Sequence, residues 1–260
     1  MSYVAVIWAM VSSALQKHFA GHVSKSTLLI WLLPLSAASF FGTLSAAALF
    51  YPAGYNWRVH AISQLTSLSD NPHICWLPSL GIMLAMLLLL PFAGYVAQRL
   101  HGITPRLARS VGLAFPFGFV GFVGAMAAQL AQPVIGLEWL HEFLARVSAG
   151  CLIVGVFCCC GSAIKDWLSR SGDQGSLPGS LVIFWVSLSL LPAVCLASIG
   201  ALVLLGQQAG LVWVEDLRYS FRPTVLWHLA FWEWAGTVMA YIFLIGSVLL
   251  LPASCREKIK

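Results

Sequence analysis

Charged side chains are scarce in this sequence. Asp, Glu, Lys and Arg together make up 9% of its 260 residues, whereas hydrophobic residues make up 60%. In soluble globular domains about a quarter of the residues are charged. A soluble fold of this length could not cover its surface with so few charges, so the composition excludes an ordinary soluble protein.

Long apolar runs take the place of the mixed patterns found in soluble proteins. Runs of about 20 apolar residues cross a bilayer as helices, because every backbone group must be hydrogen-bonded internally in hydrocarbon. A membrane β-barrel would instead need alternating segments of about ten residues. The runs predict an all-α polytopic membrane bundle with six transmembrane helices, at Thr27–Tyr51, Ile74–Gln98, Ser110–Ala131, Phe143–Ile164, Ser180–Gly206 and Val225–Pro252.

The N-terminal segment lacks the features of a span or of a signal peptide. Its apolar stretch, Tyr3–Leu15, has 13 residues, which is short for a span, and no basic region precedes it. We expect residues 1–26 to form a short interfacial helix on the cytoplasmic side; a seventh span is the alternative. Residues 27–252 then form a single membrane domain, and residues 253–260 a basic cytoplasmic tail.

No run of basic residues occurs, so the net charge of +5 does not indicate binding to nucleic acid. Ten of the 14 Lys and Arg residues fall at one set of span ends, and the other set holds Arg58, Arg146, Arg218 and Arg222. Basic residues stay preferentially on the cytoplasmic side. We therefore expect an integral protein of a bacterial inner membrane with both termini in the cytoplasm.

Acidic and histidine side chains concentrate on the opposite, outer side. Six of the nine acidic residues and four of the seven histidines lie there: Asp70, Glu138, Glu142, Glu215, Asp216, Glu233, His60, His73, His141 and His228. Several belong to one polar segment between the first two spans, residues 50–76. This distribution predicts a polar binding site on the outer side.

Glu233 is the acidic residue placed deepest in a predicted span. Counted from Val225, it lies about 10–12 Å below the start of the sixth helix. A carboxylate in hydrocarbon is costly, so it faces the bundle and usually has a partner. Glu233 therefore marks either a ligand site or a structural cross-link between helices. The ligand-binding candidates grouped with it are His60, Ser63, Asp70, His73, Glu138, His141, Arg146, His228 and Trp232.

Sequence motifs for metal binding and catalysis are absent. There is no HExxH motif, no CxxC pair and no His-rich tract. Glu138 and His141 have the spacing of a di-iron bundle, but the second pair that such a site needs is missing. We predict no metal and no cofactor; the alternative is a zinc site formed by the four outer histidines. A lipid-acting hydrolase or transferase would use as its catalytic residues His60, Ser63, His141 and Glu233.

The loop between the first two spans carries motifs of a known family. It reads YPAGYNWRVHAISQLTSLSDNP and resembles the first outer loop of the multi-pass membrane family called domain of unknown function 998. That loop has a Tyr-Pro-Gly-Tyr stretch, then Ile-Ser-x-Leu, then a turn before the second span. The resemblance implies a shared architecture. The matching residues are Tyr51, Pro52, Gly54, Tyr55, Ile62, Ser63, Leu65, Asn71 and Pro72.

The chain is also similar, more distantly, to the DRAM and Sfk-type family, which includes proteins that handle lipids and GPI anchors. Members carry an Ile-Ser motif in the first outer loop, a His that opens the fourth span with a small residue four positions later, and a Glu-aromatic pair in the last span. This similarity implies a shared architecture, and lipid handling is the activity that some members have. The corresponding residues are Ile62, Ser63, His141, Ala145, Glu233 and Trp234.

Within the loop, Ile62, Leu65 and Leu68 can share one face of a short helix. The loop is therefore expected to lie on the membrane surface as an amphipathic cap over the outer polar site, where His141, His228 and Glu233 converge. We expect this site to bind a lipid headgroup or a partner. The alternatives are the lipid-acting enzyme and a small proton-coupled transporter. The tryptophans of that side are expected to form an interfacial aromatic belt, with the walls of a headgroup pocket as the alternative. The expected partners are membrane lipids, with a partner membrane protein or a second copy of the chain as alternatives.

Overall fold

The computed structural model describes residues 21–52, 54–136, 138–169, 177–208 and 212–252. The regular structure of these residues is helical, which confirms the predicted all-α class. We number the helices in chain order: α1 Lys25–Leu49, α2 Ile62–Thr66, α3 Trp76–His101, α4 Pro105–Ile135, α5 Glu138–Leu168, α6 Gly179–Gln208, α7 Val212–Phe221 and α8 Leu229–Leu250.

Six of these helices are long and apolar enough to cross a membrane, as predicted: α1, α3, α4, α5, α6 and α8. They indicate an integral membrane protein. The first contains a π-helical turn at Leu28–Leu32, which ends two residues before Pro34. Proline cannot donate the backbone hydrogen bond that a regular α-helix requires. Residues 1–20 of the predicted interfacial segment and the predicted tail 253–260 lie outside the described residues.

The last span begins later than the sequence predicts. Val225–Trp227 forms a single 3-10 turn, and His228 has extended backbone angles (φ −90°, ψ 128°), so α8 begins at Leu229. Glu233 is therefore four residues, or about 6 Å, from the start of the helix, and the predicted depth of 10–12 Å is wrong. Mean hydropathy did not locate this boundary, because Val225, Leu226 and Trp227 are as apolar as the helix that follows.

Packing is centred on α3. More than half of the apolar window of α3 is buried (56%), compared with 7% for α6. Helices α1 and α4 pack directly against α3, and α5 packs against α4. At the α4–α5 contact, a side chain at Gly118 or Gly121 would collide with Leu152 or Ser148. These small residues let the two backbones approach closely, as small residues do where helices pack in membranes.

Contacts at the ends of the helices hold α8 against α1 and α3. Lys25 Nζ donates a hydrogen bond to the carbonyl of Leu249 (2.6 Å), and Arg99 Nε donates to that of Pro252 (3.2 Å). Both cations thus face the carbonyl end of α8, where the helix dipole is negative. We call this end of the bundle, at which α3 and α8 finish, the basic end. The other end, which carries residues 50–75 and the start of α8, is the loop end.

Candidate functional site

The polar loop folds into a tight turn before α2. Gly54 has a positive φ of 77°, which side-chain-bearing residues rarely adopt. Asn56 then organises the following turn: its Oδ1 accepts from the amide of Arg58, and its carbonyl accepts from the amide of His60. The His60 ring returns to the same residue, since Nδ1 accepts from the Asn56 amide at 3.1 Å. The loop is thus an ordered structure that positions the start of α2.

Helix α2 confirms the short helix predicted from the loop sequence. Ile62 and Leu65 are buried and Ser63 is exposed. Leu68 differs from the prediction, because it lies beyond the end of the helix and is partly exposed. The helix contacts α1, α3 and α8. It therefore covers the loop end of three spans.

Glu233 of α8 caps this short helix. The residue before α2 is Ala61, which has no side-chain oxygen to accept from the first amides of the helix. Glu233 Oε2 supplies that acceptor, taking hydrogen bonds from the amides of Ile62 (2.8 Å) and Ser63 (3.4 Å). Gln64 Oε1 accepts from the Ala61 amide at 2.9 Å. A residue of the last span thus completes a helix in the first loop.

Trp234, the neighbour of Glu233, provides a second link to the loop. Its Nε1 donates to the hydroxyl of Tyr55 (2.8 Å), which in turn donates to the carbonyl of His60 (2.8 Å). The rings of Tyr51, Tyr55 and His60 contact one another. Burial raises the pKa of Tyr55 to about 12, although the hydrogen bond from Trp234 lowers it. The hydroxyl therefore stays protonated and can keep donating.

Asn71 fixes the far side of the loop, a role that the sequence analysis missed. Its side chain is fully buried, and Nδ2 donates to the carbonyls of Ala47 and Leu65, both at 3.3 Å. These bonds join the end of α1 to the end of α2. Oδ1 of Asn71 is buried and accepts no hydrogen bond from the described residues. The position of Asn71 directly before a proline was the available signal for a structural turn.

The remaining candidates on α5 form separate contacts. His141 Nδ1 donates to the carbonyl of Ala125 on α4 (2.9 Å), because a carbonyl oxygen can only accept. Glu142 and Arg146 form an exposed ion pair of 2.7 Å. The side chain of Glu138 lies outside the described residues. His141 therefore links α5 to α4, and the Glu142–Arg146 pair lies on the surface of α5.

We predicted that His141, His228 and Glu233 converge. Among the described residues, no hydrogen bond joins any two of these side chains. Glu233 binds loop amides, whereas His141 binds α4. His228 precedes α8 as its cap residue, and its ring makes no hydrogen bond to a described residue. Trp232 Nε1 donates to the carbonyl of Leu226 (2.9 Å) and so fixes the 3-10 turn before α8.

The two loop candidates nearest the second span are peripheral. Asp70 closes a local turn, in which its amide donates to Ser67 Oγ and its Oδ2 accepts from Ser69 Oγ. His73 is exposed, and its ring makes no hydrogen bond to a described residue. In the described structure, neither side chain is hydrogen-bonded to Glu233.

Within the described ranges, no group of three or more His, Cys, Asp or Glu side chains is arranged to hold a metal ion. The histidine nearest Ser63 in sequence is also poorly placed as a general base. The Nδ1 lone pair of His60 is engaged by the Asn56 amide, so the neutral ring carries its hydrogen on Nε2. A ring in this state cannot accept the proton of a serine hydroxyl.

The Glu233 carboxylate keeps part of its hydrogen-bonding capacity. Glu233 is only half-buried, and its second oxygen, Oε1, accepts no hydrogen bond from the described residues. The exposed side chain of Ser63 stands on the first turn of α2, whose amides Glu233 caps. A carboxylate oxygen in this position can accept a hydrogen bond from an ammonium or hydroxyl group. The loop end therefore offers an acceptor site connected to the fold of the loop.

Comparison with protein-family models, with curated proteins and with solved structures found no match for this chain. The resemblances to the domain of unknown function 998 family and to the DRAM and Sfk-type family therefore stay predictions. The Ile-Ser and Glu-aromatic motifs on which they rest are the segments that Glu233 and Trp234 bring together.

Proposed function

We propose that this multi-pass membrane protein binds the headgroup of a membrane lipid at its loop end, with Glu233 as the main polar contact. The main support for this proposal is that the two oxygens of the Glu233 carboxylate differ in their contacts. Oε2 holds the amides of Ile62 and Ser63, while Oε1 has no hydrogen-bond donor among the described residues. A headgroup with an ammonium or hydroxyl group would supply that donor.

The aromatic side chains of this end support a position at headgroup depth. Trp57, Trp76 and Trp139 are each about half exposed or more. Tryptophan is enriched at the boundary between hydrocarbon and water, where its apolar ring and N–H are both satisfied. Glu233 lies close to the start of α8, so the same depth brings its carboxylate level with lipid headgroups. The proposal therefore needs no charged group in the centre of the bilayer.

The charge distribution supports an orientation in which the loop end faces away from the cytoplasm. The described basic end carries Lys25, Arg99, Arg106, Arg109 and Lys165, and basic residues favour the cytoplasmic side. The bound lipid would then belong to the outer leaflet. We favour binding over catalysis because His60 has its Nδ1 lone pair engaged and His141 binds α4.

Native mass spectrometry of the purified protein in mild detergent tests this function. The wild-type chain should retain one class of lipid with an amine or hydroxyl headgroup. Glu233→Gln keeps one acceptor oxygen for the loop amides but removes the charge, so it should lose most of the retained lipid. The matched control is Glu142→Gln, which removes an exposed carboxylate at the same end. Equal retention by both variants would disprove the role of Glu233, and an unselective lipid mixture in the wild type would disprove specific binding.

A further inference from the structure

A cavity lies at the basic end, where α3 finishes and α4 begins. It measures about 880 Å³ and opens between residues 21–23 and the facing turns of the two helices. Ligand pockets usually measure about 300–1,000 Å³. We propose that this cavity binds the phosphate group of an anionic ligand, with Arg109 as a direct contact. The polar side chains of its lining are His22, Gln98, Arg99, His101 and Arg109.

The charge of the cavity favours an anion. Its described lining contains two guanidinium groups and two imidazoles but no carboxylate. The guanidinium group presents a planar fork of N–H donors that matches two oxygens of a phosphate. Arg109 is exposed and makes no hydrogen bond or ion pair with the described residues. Its donors can therefore turn toward a ligand without breaking a described contact.

Other polar groups of the cavity are held in place by the protein. The guanidinium of Arg99 lies over the ring of Tyr95, 3.3 Å from the centroid, and donates to the carbonyls of Tyr95 and Pro252. Gln98 Nε2 lies 3.2 Å from His22 Nδ1. Because an amide nitrogen only donates, His22 accepts through Nδ1, and its neutral ring carries the N–H on Nε2. The cavity thus combines a fixed positive charge with a further N–H donor.

The lining changes from polar to apolar along the helices. His101 and Gly102 lie where α3 ends, whereas Ala97, Gly112 and Leu113 lie further into the two spans. Leu113 exposes 61% of its surface on a helix long and apolar enough to cross a membrane. The cavity therefore matches a phospholipid, with the phosphate at the mouth and an acyl chain beside α4. A soluble phosphate ester would use the mouth alone.

Binding of defined probes to the full chain in detergent tests the phosphate site. The probes are phosphatidylglycerol, a diacylglycerol with the same acyl chains but no phosphate, and soluble glycerol phosphate, each titrated and followed by native mass spectrometry. Arg109→Gln should weaken phosphatidylglycerol binding roughly tenfold, the loss expected for one charge-assisted contact. Arg106→Gln is the matched control, because Arg106 is exposed on the same helix but does not line the cavity.

The outcomes separate the sources of the phosphate. Binding of phosphatidylglycerol but not of glycerol phosphate assigns the site to a lipid, and binding of both at similar concentrations assigns it to a soluble phosphate ester. The proposal is overturned if diacylglycerol binds as well as phosphatidylglycerol, or if the two arginine variants weaken binding equally. The titrations are repeated in the Glu233→Gln background, which removes the proposed loop-end site; the loss caused by Arg109→Gln should persist there, so failure here is distinguishable from failure of the loop-end function.

Discussion

Glu233 and Ile62 are 171 positions apart in sequence, yet the carboxylate of Glu233 accepts the amide hydrogen bond of Ile62 at 2.8 Å. This contact makes the loop between the first two spans depend on the last span. A loop of this length could otherwise move freely over the membrane surface. Here its short helix is capped by a side chain that the loop itself does not contain.

The cap predicts a local change in hydrogen exchange. Glu233→Leu should remove the acceptor of the Ile62 and Ser63 amides, weaken α2 by about 1 kcal/mol, and speed deuterium uptake by peptides that contain residues 61–66. Glu233→Gln should preserve most of the protection, because its amide oxygen can still accept. Glu142→Leu serves as the control at the same end. Unchanged uptake in Glu233→Leu would contradict the cap.

The raised pKa of Tyr55 predicts that the folded protein loses stability in strong base. Its pKa is raised from 10.0 to about 12, first by burial, so the folded state holds the phenolic proton more tightly than the unfolded chain does. The stabilisation should be complete below pH 10 and lost as the pH rises through about 12. The measurement is the tyrosinate absorbance of the wild type minus that of Tyr55→Phe. A Tyr55 titration at the usual pKa of 10.0 would contradict the burial of its hydroxyl group.

We expect the side chain of Asn71 to stabilise the folded protein. Asn71→Ala would leave the carbonyls of Ala47 and Leu65 without their donor, at a cost of about 1–3 kcal/mol for buried polar groups. A lower apparent melting temperature in detergent is the expected result. The exposed Ser69, replaced in Ser69→Ala, is the control from the same loop. Equal melting of the two variants would show that Asn71 does not hold the loop.

Close approach of α4 and α5 predicts opposite effects for two glycines. A methyl group at Gly118 would meet the Leu152 side chain and the Ser148 carbonyl, whereas one at Gly150 would meet open space. Gly118→Ala should therefore destabilise the bundle by about 1–3 kcal/mol through overpacking. Gly150→Ala should be neutral or stabilising by up to about 1 kcal/mol through helix propensity. Thermal unfolding in one detergent compares them, and a stabilised Gly118→Ala would contradict the packing.

The orientation proposed for the bundle can be tested by cysteine labelling. His73 and Gly102 are exposed at opposite ends of α3, so His73→Cys and Gly102→Cys report on opposite sides. An impermeant thiol reagent should label His73→Cys in intact cells and Gly102→Cys only after permeabilisation. The unsubstituted chain controls for its own cysteines. The reverse pattern would place the loop end in the cytoplasm.

The sequence by itself determined the class of the fold and the positions of its spans. Six apolar runs predict six long helices, because the hydropathy and the length of each segment by themselves decide whether it can span a bilayer. The same reasoning singled out Glu233, since a carboxylate in an apolar run requires a partner wherever the run packs. The short helix of the loop also followed from the spacing of Ile62, Leu65 and Leu68, although Leu68 lies beyond its end.

Only the tertiary structure decided which groups meet. Glu233 binds backbone amides and His141 binds the carbonyl of Ala125, although the sequence predicted that the two side chains would share one site. Every residue has the same backbone groups, so the sequence does not show which of them will bind a side chain. The rotation and depth of each helix depend on packing of the kind seen at Gly118. The start of α8 likewise depends on the extended backbone of His228. Which side chain faces which neighbour is therefore set by helix packing, a property of the whole bundle that no single apolar run contains.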